Sequence, residues 1–298
     1  MPSKPKIIVR TLFTRFVFST GIAAAIWRLF WRDRVAVLLY HDPSPQTLDA
    51  HLTYLKTVCD IVPFSEVNAP GRGRRRAAIT LDDGHVRNAE LLPVFIKHNV
   101  RPTIFICSSI VGQARTHWWL HPGVAHLGVE RLKRMRNEER LGKLRSTGFV
   151  QHAAAEESRA SGLSAEQIQA MRPYVDFASH TRFHPILTRC ADAECREELL
   201  GSKKEIEEML GRTCHHFAYP NGDYGAREIA VLKAGGYLTA RTCDLGWNDH
   251  KSDPYRLKAF DIQDDSTVEW FATQLTGITL YLRYLRQGGG FAGRKPQL

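Results

Sequence analysis

The chain has 298 residues, of which 43% are hydrophobic and 24% charged, a balance that excludes a disordered protein and allows one large core. Its net charge of +10 suits anionic partners, but no aromatic RNA-binding signature accompanies the basic runs, so nucleic acid is not expected. The six cysteines, at 59, 107, 190, 195, 214 and 243, form no C-x-x-C pair; they exclude a disulfide framework and read as reduced thiols of a cytoplasmic protein.

Residues 1–34 form a basic, partly apolar segment with Lys4, Lys6, Arg10, Arg15, Arg28, Arg32 and Arg34 against one acid, Asp33. Its apolar run, 16–27, is shorter than the roughly 20 residues that cross a bilayer. It has the general shape of a signal peptide, but no clear small-residue cleavage site follows. Two placements suit a basic helix carrying Phe16, Phe18, Trp27, Phe30 and Trp31: peripheral contact with an anionic membrane, or packing on the domain. The expected location is therefore cytoplasmic, with membrane association as an option.

From residue 35 strands and helices alternate. Val35–Tyr40 is a continuous apolar run, as a buried parallel strand requires. Thr47–Val58 carries Leu48, Leu52 and Leu55 at helical spacing. A basic loop containing Arg72, Arg74, Arg75 and Arg76 precedes a strand over 77–81. A helix is expected over 87–98, with Leu91, Leu92, Phe95 and Ile96 inward, then a strand over 103–107. Residues 108–163, with Trp118 and Trp119, read as a long insertion over one face. Ser164–Gln167 forms a capping box. Strands follow at 175–179, 214–219, 237–242 and 257–262, with helices at 192–210, 225–234 and after Ser266. The tail from Gln287, with its three glycines, reads as loose. The alternation predicts a parallel sheet covered by helices, doubly wound or closed into a barrel, whose active site forms at the carboxyl ends of the strands.

Chemistry-bearing residues stand at those ends. Asp82-Asp83-Gly84 follows the strand ending at Leu81, and His180-Thr181-Arg182-Phe183-His184-Pro185 follows the strand ending at Ser179. Either motif alone is an ordinary turn or surface pair. Together they offer a His₂Asp set, His180 and His184 read as sharing one face of a helical turn, with a coordination position left for water. Asp83 as ligand and Asp82 as base divide metal binding and proton removal between neighbours. Tyr219-Pro220-Asn221-Gly222 ends another strand, and its backbone N–H groups near Asn221 could face a developing oxyanion.

These residues resemble the polysaccharide deacetylase family, the NodB-homology or carbohydrate esterase 4 domain. The matching motifs are Thr80-Leu81-Asp82-Asp83-Gly84, His180–Pro185 and Ala218-Tyr219-Pro220-Asn221-Gly222, supported by Leu39-Tyr40-His41-Asp42 and Trp118-Trp119. The resemblance spans 35–277, leaving 278–298 as a helix end and tail, and implies a distorted (β/α)7, TIM-like barrel. It also implies Asp82 as catalytic base; Asp83, His180 and His184 as ligands of one divalent metal, with zinc expected and other ions compatible; and Tyr219, Pro220 and Asn221 at the substrate groove. The implied activity is metal-dependent removal of acetyl groups, foremost N-acetyl, from a glycan or lipid-linked saccharide. Departures from the pattern leave alternatives open. Ala218 stands where many members place an arginine that orients the base, and Leu257-Lys258-Ala259 replaces a later arginine segment, so Arg256 or Lys258 would have to substitute. The late histidine that serves as general acid is missing, with His85, His216 and His250 as replacements. A weak or inactive carbohydrate-binding member, an O-acetyl esterase or a small-amide hydrolase fits these departures.

Overall fold

The computed structural model describes residues 4–71, 73–154, 160–279 and 281–282, with side chains from Val9 onward. Arg72, the side chains of Lys4 and Lys6, and the tail from Gln287 lie outside the described residues. Two apolar runs, β1 (Val35–Tyr40) and β3 (Arg76–Leu81), are buried along their whole length and pair in parallel, Val35 opposite Arg76 through Tyr40 opposite Leu81. Asp60–Ile61 (β2) adds to the outer side of β3. The sheet continues through β4 (Thr103–Ile106), β5 (Asp176–Ser179), β6 (His216–Ala218) and β7 (Thr239–Arg241), while β8 (Phe260–Asp261) pairs with β1. Its order is β7-β6-β5-β4-β3-β1-β8, with every pairing parallel.

The curl is tied from end to end by the chain between β7 and β8. Leu257 donates to Ala240 O and accepts from Thr242 N, Ala259 N donates to Asp244 O, and Phe260 then pairs with Leu38 of β1. This is the distorted (β/α)7 barrel that the alternation and the motifs imply. Period-two alternation divides its core. Val35, Val37, Leu39, Ala78, Phe105, Ala178, Ala218, Leu257 and Ala259 fill the inside. Leu38, Tyr40, Ile79, Leu81, Ile104 and Phe217 point outward under the helices.

Among the covering helices, α3 (Pro45–Val58) starts at Ser44, whose hydroxyl accepts from Thr47 N, and buries Leu48, Leu52 and Leu55. The helix expected over 87–98 divides into a 3-10 turn, Val86–Leu91, and α4, Leu92–His98. Pro93 has no N–H to donate one turn back, so it is accommodated in the first turn of a new helix. Ile96 consequently faces solvent, contrary to its inward assignment. The later helices are α7 (Ala165–Met171), with the expected Ser164/Gln167 capping box, α8 (Asp192–Leu210), α9 (Ala226–Ala234) and α10 (Val268–Gln274). Between β4 and β5, α5 (Val129–Lys133) and α6 (Asn137–Arg145) of the insertion build a small core from Trp118, Val124, Leu132, Leu144 and Phe149.

The N-terminal segment packs on this framework. Helix α1 (Lys4–Ser19) breaks at Gly21, in the left-handed region at φ 75°, before α2 (Ile22–Ile26) and a π-helical turn, Trp27–Trp31. Thr14 and Thr273 share a hydroxyl hydrogen bond of 2.8 Å, and the indoles of Trp27 and Trp31 donate to Leu275 O and Arg76 O.

The closing segment sets a stability expectation. Truncating Leu257, whose side chain is fully buried in the inner core while its backbone bonds β7, should cost about 2–5 kcal/mol. Ile96→Ala on the surface of α4 should stay within about 0.5 kcal/mol. Denaturant unfolding of the two variants measures the contrast.

Candidate metal centre

β3 is apolar until Leu81 and then delivers Asp82 and Asp83, both buried. Asp83 adopts φ 72° and Gly84 φ 70°. A side chain at Gly84 would sit 2.8 Å from Ile106 Cγ2, so the turn that aims Asp83 requires glycine. The second motif follows β5, where His180 N donates to Ile106 O of the neighbouring strand at 2.9 Å.

The two histidines do not lie on a helical turn as their spacing suggested. Thr181 and His184 have φ of 71° and 55°, and the segment is a loop. Local polar groups outcompete helix formation here. Thr181 Oγ1 accepts His184 N, Glu198 Oε2 accepts both Arg182 N and Phe183 N, and Ser202 Oγ donates to Thr181 O. The insertion contributes Trp118, whose indole donates to His184 O at 3.1 Å, and Trp119, whose ring lies 4.6 Å from the His184 imidazole. His180 Nδ1 donates to Ala218 O at 2.7 Å, which fixes the tautomer and leaves Nε2 free to bind a cation.

Three donor atoms converge as a result. Asp83 Oδ1 lies 3.5 Å from His180 Nε2 and 3.4 Å from His184 Nε2. One ligand atom from each residue fits within a mutual distance of 4.8 Å. Ligand bonds of about 2.1 Å in a tetrahedral set require edges of about 3.4 Å. Asp83 Oδ1 and His184 Nδ1 are moreover buried without a hydrogen-bond partner, which a bound cation would relieve at the carboxylate. Burial alone would raise the Asp83 carboxyl, yet the imidazoles of His184, His85 and His180 hold it well below the usual carboxylate range. Burial pushes His184 well below the ordinary histidine value, the neutral state a ligand needs. The residues therefore fit a divalent metal.

Asp82 is engaged by a residue that sequence reasoning missed. The fully buried Arg241, at the end of β7, places Nη2 2.5 Å from both Asp82 oxygens. Burial opposes the Arg241 charge, and the Asp82 carboxylate more than restores it. Arg241 is the cross-strand neighbour of Ala218, so the small residue of the third motif lies beside the arginine that carries the charge. Arg256, ion-paired with Asp253, and Lys258, packed over Gly246, are not the groups at Asp82. The available signal was an arginine in an otherwise uncharged strand, at the carboxyl end where the other motifs also stand.

Of the three candidate acids, His85 alone joins the cluster, with Nε2 3.2 Å from Asp83 Oδ2. His216 bonds Thr239 at the first residues of β6 and β7, and His250 lies in the exposed turn after Asp249. A fourth histidine, His117, unremarked in the sequence, is buried with Nε2 3.2 Å from Asp83 O and Nδ1 2.6 Å from Ser161 Oγ. Burial lowers it to about 4, so it braces the Asp83 backbone as a neutral ring. Tyr219 is buried and donates to Tyr255 O; Pro220 is buried beside it, and Asn221 sits at φ 55° with its amide on Asp223.

A (β/α)7 barrel whose strand ends carry paired aspartates and two histidines defines a carbohydrate deacetylase, a hydrolase. The chain belongs to the polysaccharide deacetylase family, whose model matches residues 70–240. No curated protein sequence matches. Similar solved structures include the Streptococcus pyogenes deacetylase PplD in complex with acetate, at 16% identity and TM-score 0.59, covering 82% of this chain and 98% of that one. A polysaccharide deacetylase from Bacillus cereus is similar at 20% identity and TM-score 0.58, covering 82% and 69%. IcaB from Ammonifex degensii is similar at 18% and 0.58, covering 82% and 96%.

The histidine loop yields a pH prediction. Burial raises the Glu198 carboxyl to about 7, outweighing the Phe183 and Arg182 N–H donors and the nearby Arg182 and Arg140 guanidinium groups. A raised carboxyl stabilises the fold fully below its ordinary value and loses that contribution as pH climbs through about 7. Glu198→Gln keeps an acceptor for both amides without the titration. Its melting temperature relative to the parent should therefore rise by a few degrees between pH 5 and 8.

Proposed function

We propose that the protein removes acetyl groups, foremost N-acetyl, from an acetylated glycan or lipid-linked saccharide in a metal-dependent hydrolysis. The observation that carries this reading is the juxtaposition of one carboxylate held by a guanidinium with a second that shares three clustered donor atoms with two imidazoles. Asp83, His180 and His184 would hold the metal, zinc being the ion best suited to a His₂Asp set. The ion supplies electrophilic activation of water and of the acetyl carbonyl.

The chain's own residues do the rest. Asp82, fixed by Arg241, takes the proton from the attacking water. The backbone N–H at Asn221 faces the charge that develops on the carbonyl oxygen. The water oxygen bonds the acetyl carbon, the carbon–nitrogen bond breaks, and the departing amine needs the proton that Asp82 has taken up. One carboxylate then serves both half-steps, which suits a chain without the late histidine. An O-acetyl ester makes a smaller demand on leaving-group protonation, so N- and O-acetyl substrates belong in one panel.

The test is acetate release from N-acetylglucosamine oligomers and O-acetylated sugars, with metal content measured on the same samples. Asp82→Asn should lower kcat by about 10³-fold with the metal retained. His184→Ala should lose both metal and turnover. Acetate release that survives both substitutions refutes the proposal. Arg241→Met should lower kcat by about 10²-fold, because it leaves the Asp82 carboxylate buried without its partner. An Arg241→Met enzyme as fast as the parent would show that Asp82 needs no orienting cation.

A further inference from the structure

A face of the N-terminal segment is left uncovered. Of the fourteen large apolar side chains exposed among the described residues, six fall between Val9 and Phe30, and two more, Tyr281 and Leu282, follow α10. In α1, Val9, Leu12 and Phe16 are 66%, 60% and 57% exposed and recur at helical spacing, while Thr14 and Val17 on the other side are buried against the barrel. Beyond the break, Leu29 is 71% exposed and Phe30 48%, although their neighbours Trp27 and Trp31 are buried. Singly exposed apolar residues are ordinary; a row at helical spacing on α1, followed by a second exposed pair on the Trp27–Trp31 turn of the same segment, marks a contact surface.

The charges beside this row indicate what covers it. Arg15 on α1, Arg28 on the Trp27–Trp31 turn and Arg32 directly after it are exposed, and the first 34 residues hold seven basic side chains against one acid. Among the described residues no single helix is long and apolar enough to cross a membrane; the pair Val9–Ser19 and Ile22–Trp31 together has the length and composition, but it bends by 64° at the break and lays its buried side, Thr14, Val17, Trp27 and Trp31, on the barrel. An apolar row edged with arginine fits the boundary of an anionic bilayer, where rings and aliphatic chains enter the acyl region and guanidinium groups meet lipid phosphates. A second copy of this chain would bring an equally basic segment against the first, and like charges oppose that pairing.

We propose that α1, α2 and the Trp27–Trp31 turn form a peripheral docking surface for anionic lipid, with Val9, Leu12, Phe16, Leu29 and Phe30 as the inserting residues. The surface is separate from the reacting groups. Trp31 bonds Arg76 at the amino end of β3, whereas Asp82 and Asp83 leave its carboxyl end, about 20 Å farther along the strand. Docking and turnover are therefore independently testable.

The experiment is co-sedimentation of the full chain with phosphatidylcholine vesicles with and without 30% phosphatidylglycerol, at low and high salt. Binding is expected to the anionic vesicles, to fall as salt rises, and to weaken at least about tenfold in Leu12→Glu/Phe16→Glu and in Leu29→Glu/Phe30→Glu. Leu12→Glu/Phe16→Glu should keep the parent's melting temperature, since both side chains are exposed, whereas Leu29→Glu/Phe30→Glu also gives up the stacking of Phe30 on Trp247 and should melt somewhat lower; both should keep the parent's acetate release from soluble oligosaccharides. Equal sedimentation with neutral and anionic vesicles, or parent-like vesicle binding by both variants, overturns the proposal. It is also overturned if the parent ignores vesicles and is a dimer that the same substitutions disperse, which would make this face an interface between copies of the chain.

Discussion

Asp82 and Asp83 lie side by side at the end of β3 with almost no access to water, and one guanidinium, Arg241, faces them. Ionised carboxylates in such a setting need compensating positive charge, since an unpaired buried ion costs several kcal/mol. Arg241 balances one of them. The other, Asp83, has a buried oxygen without a hydrogen-bond partner beside the two imidazoles of His180 and His184, and a cation is the natural complement there. Much of the surrounding chain follows from that requirement. Ala218 stands beside Arg241, Ala78, Ala178 and Ala259 belong to the same inner core, and the guanidinium carbon lies 5.3 Å from the centre of the Phe105 ring. A barrel interior filled only with large aliphatic residues would have no room for such a group.

The same constraint explains the backbone around the site. Four of the non-glycine residues with positive φ are Asp83, Thr181, His184 and Asn221, each in or next to a motif at a strand end. Conformations of this kind persist only where surrounding bonds over-determine them. Here the bonds come from three directions: Glu198 and Ser202 of α8 beneath the histidine loop, His117 against the Asp83 carbonyl, and Trp118 against the His184 carbonyl. Arg140 of α6 stacks over Trp118 at 4.7 Å, so the insertion's own small core continues to the His184 loop. What reads in sequence as an irregular, arginine-rich stretch is a buttress for the ligand set.

The barrel was largely legible in the sequence because it rests on periodicity and on residues adjacent in the chain. Val35–Tyr40 and Ala77–Leu81 are apolar without interruption, and the DDG and HTRFHP motifs stand at the ends of strands. The capping box at Ser164 marks a helix that forms as its side chains dictate. The unread parts depend on contacts between distant segments. Spacing of four residues suggested a helical histidine pair, but Glu198, from α8, is what shapes that loop. His117 is one histidine among thirteen until the fold brings it to Asp83. Arg241 lies 159 residues from the carboxylate it holds, and its place in an otherwise uncharged strand marks it as unusual without naming its partner.

Arg241 also bears on how relatives of this chain are judged. A comparison made column by column meets Ala218 where an arginine is customary and scores the protein as defective. Here the guanidinium stands on the next strand, on the cross-strand neighbour of that alanine, and reaches the aspartate from there. Functional equivalence in this barrel attaches to a location in space, which two adjacent strands can supply. A missing letter in one strand is therefore no measure of the charge present in the barrel, since the next strand over can carry it.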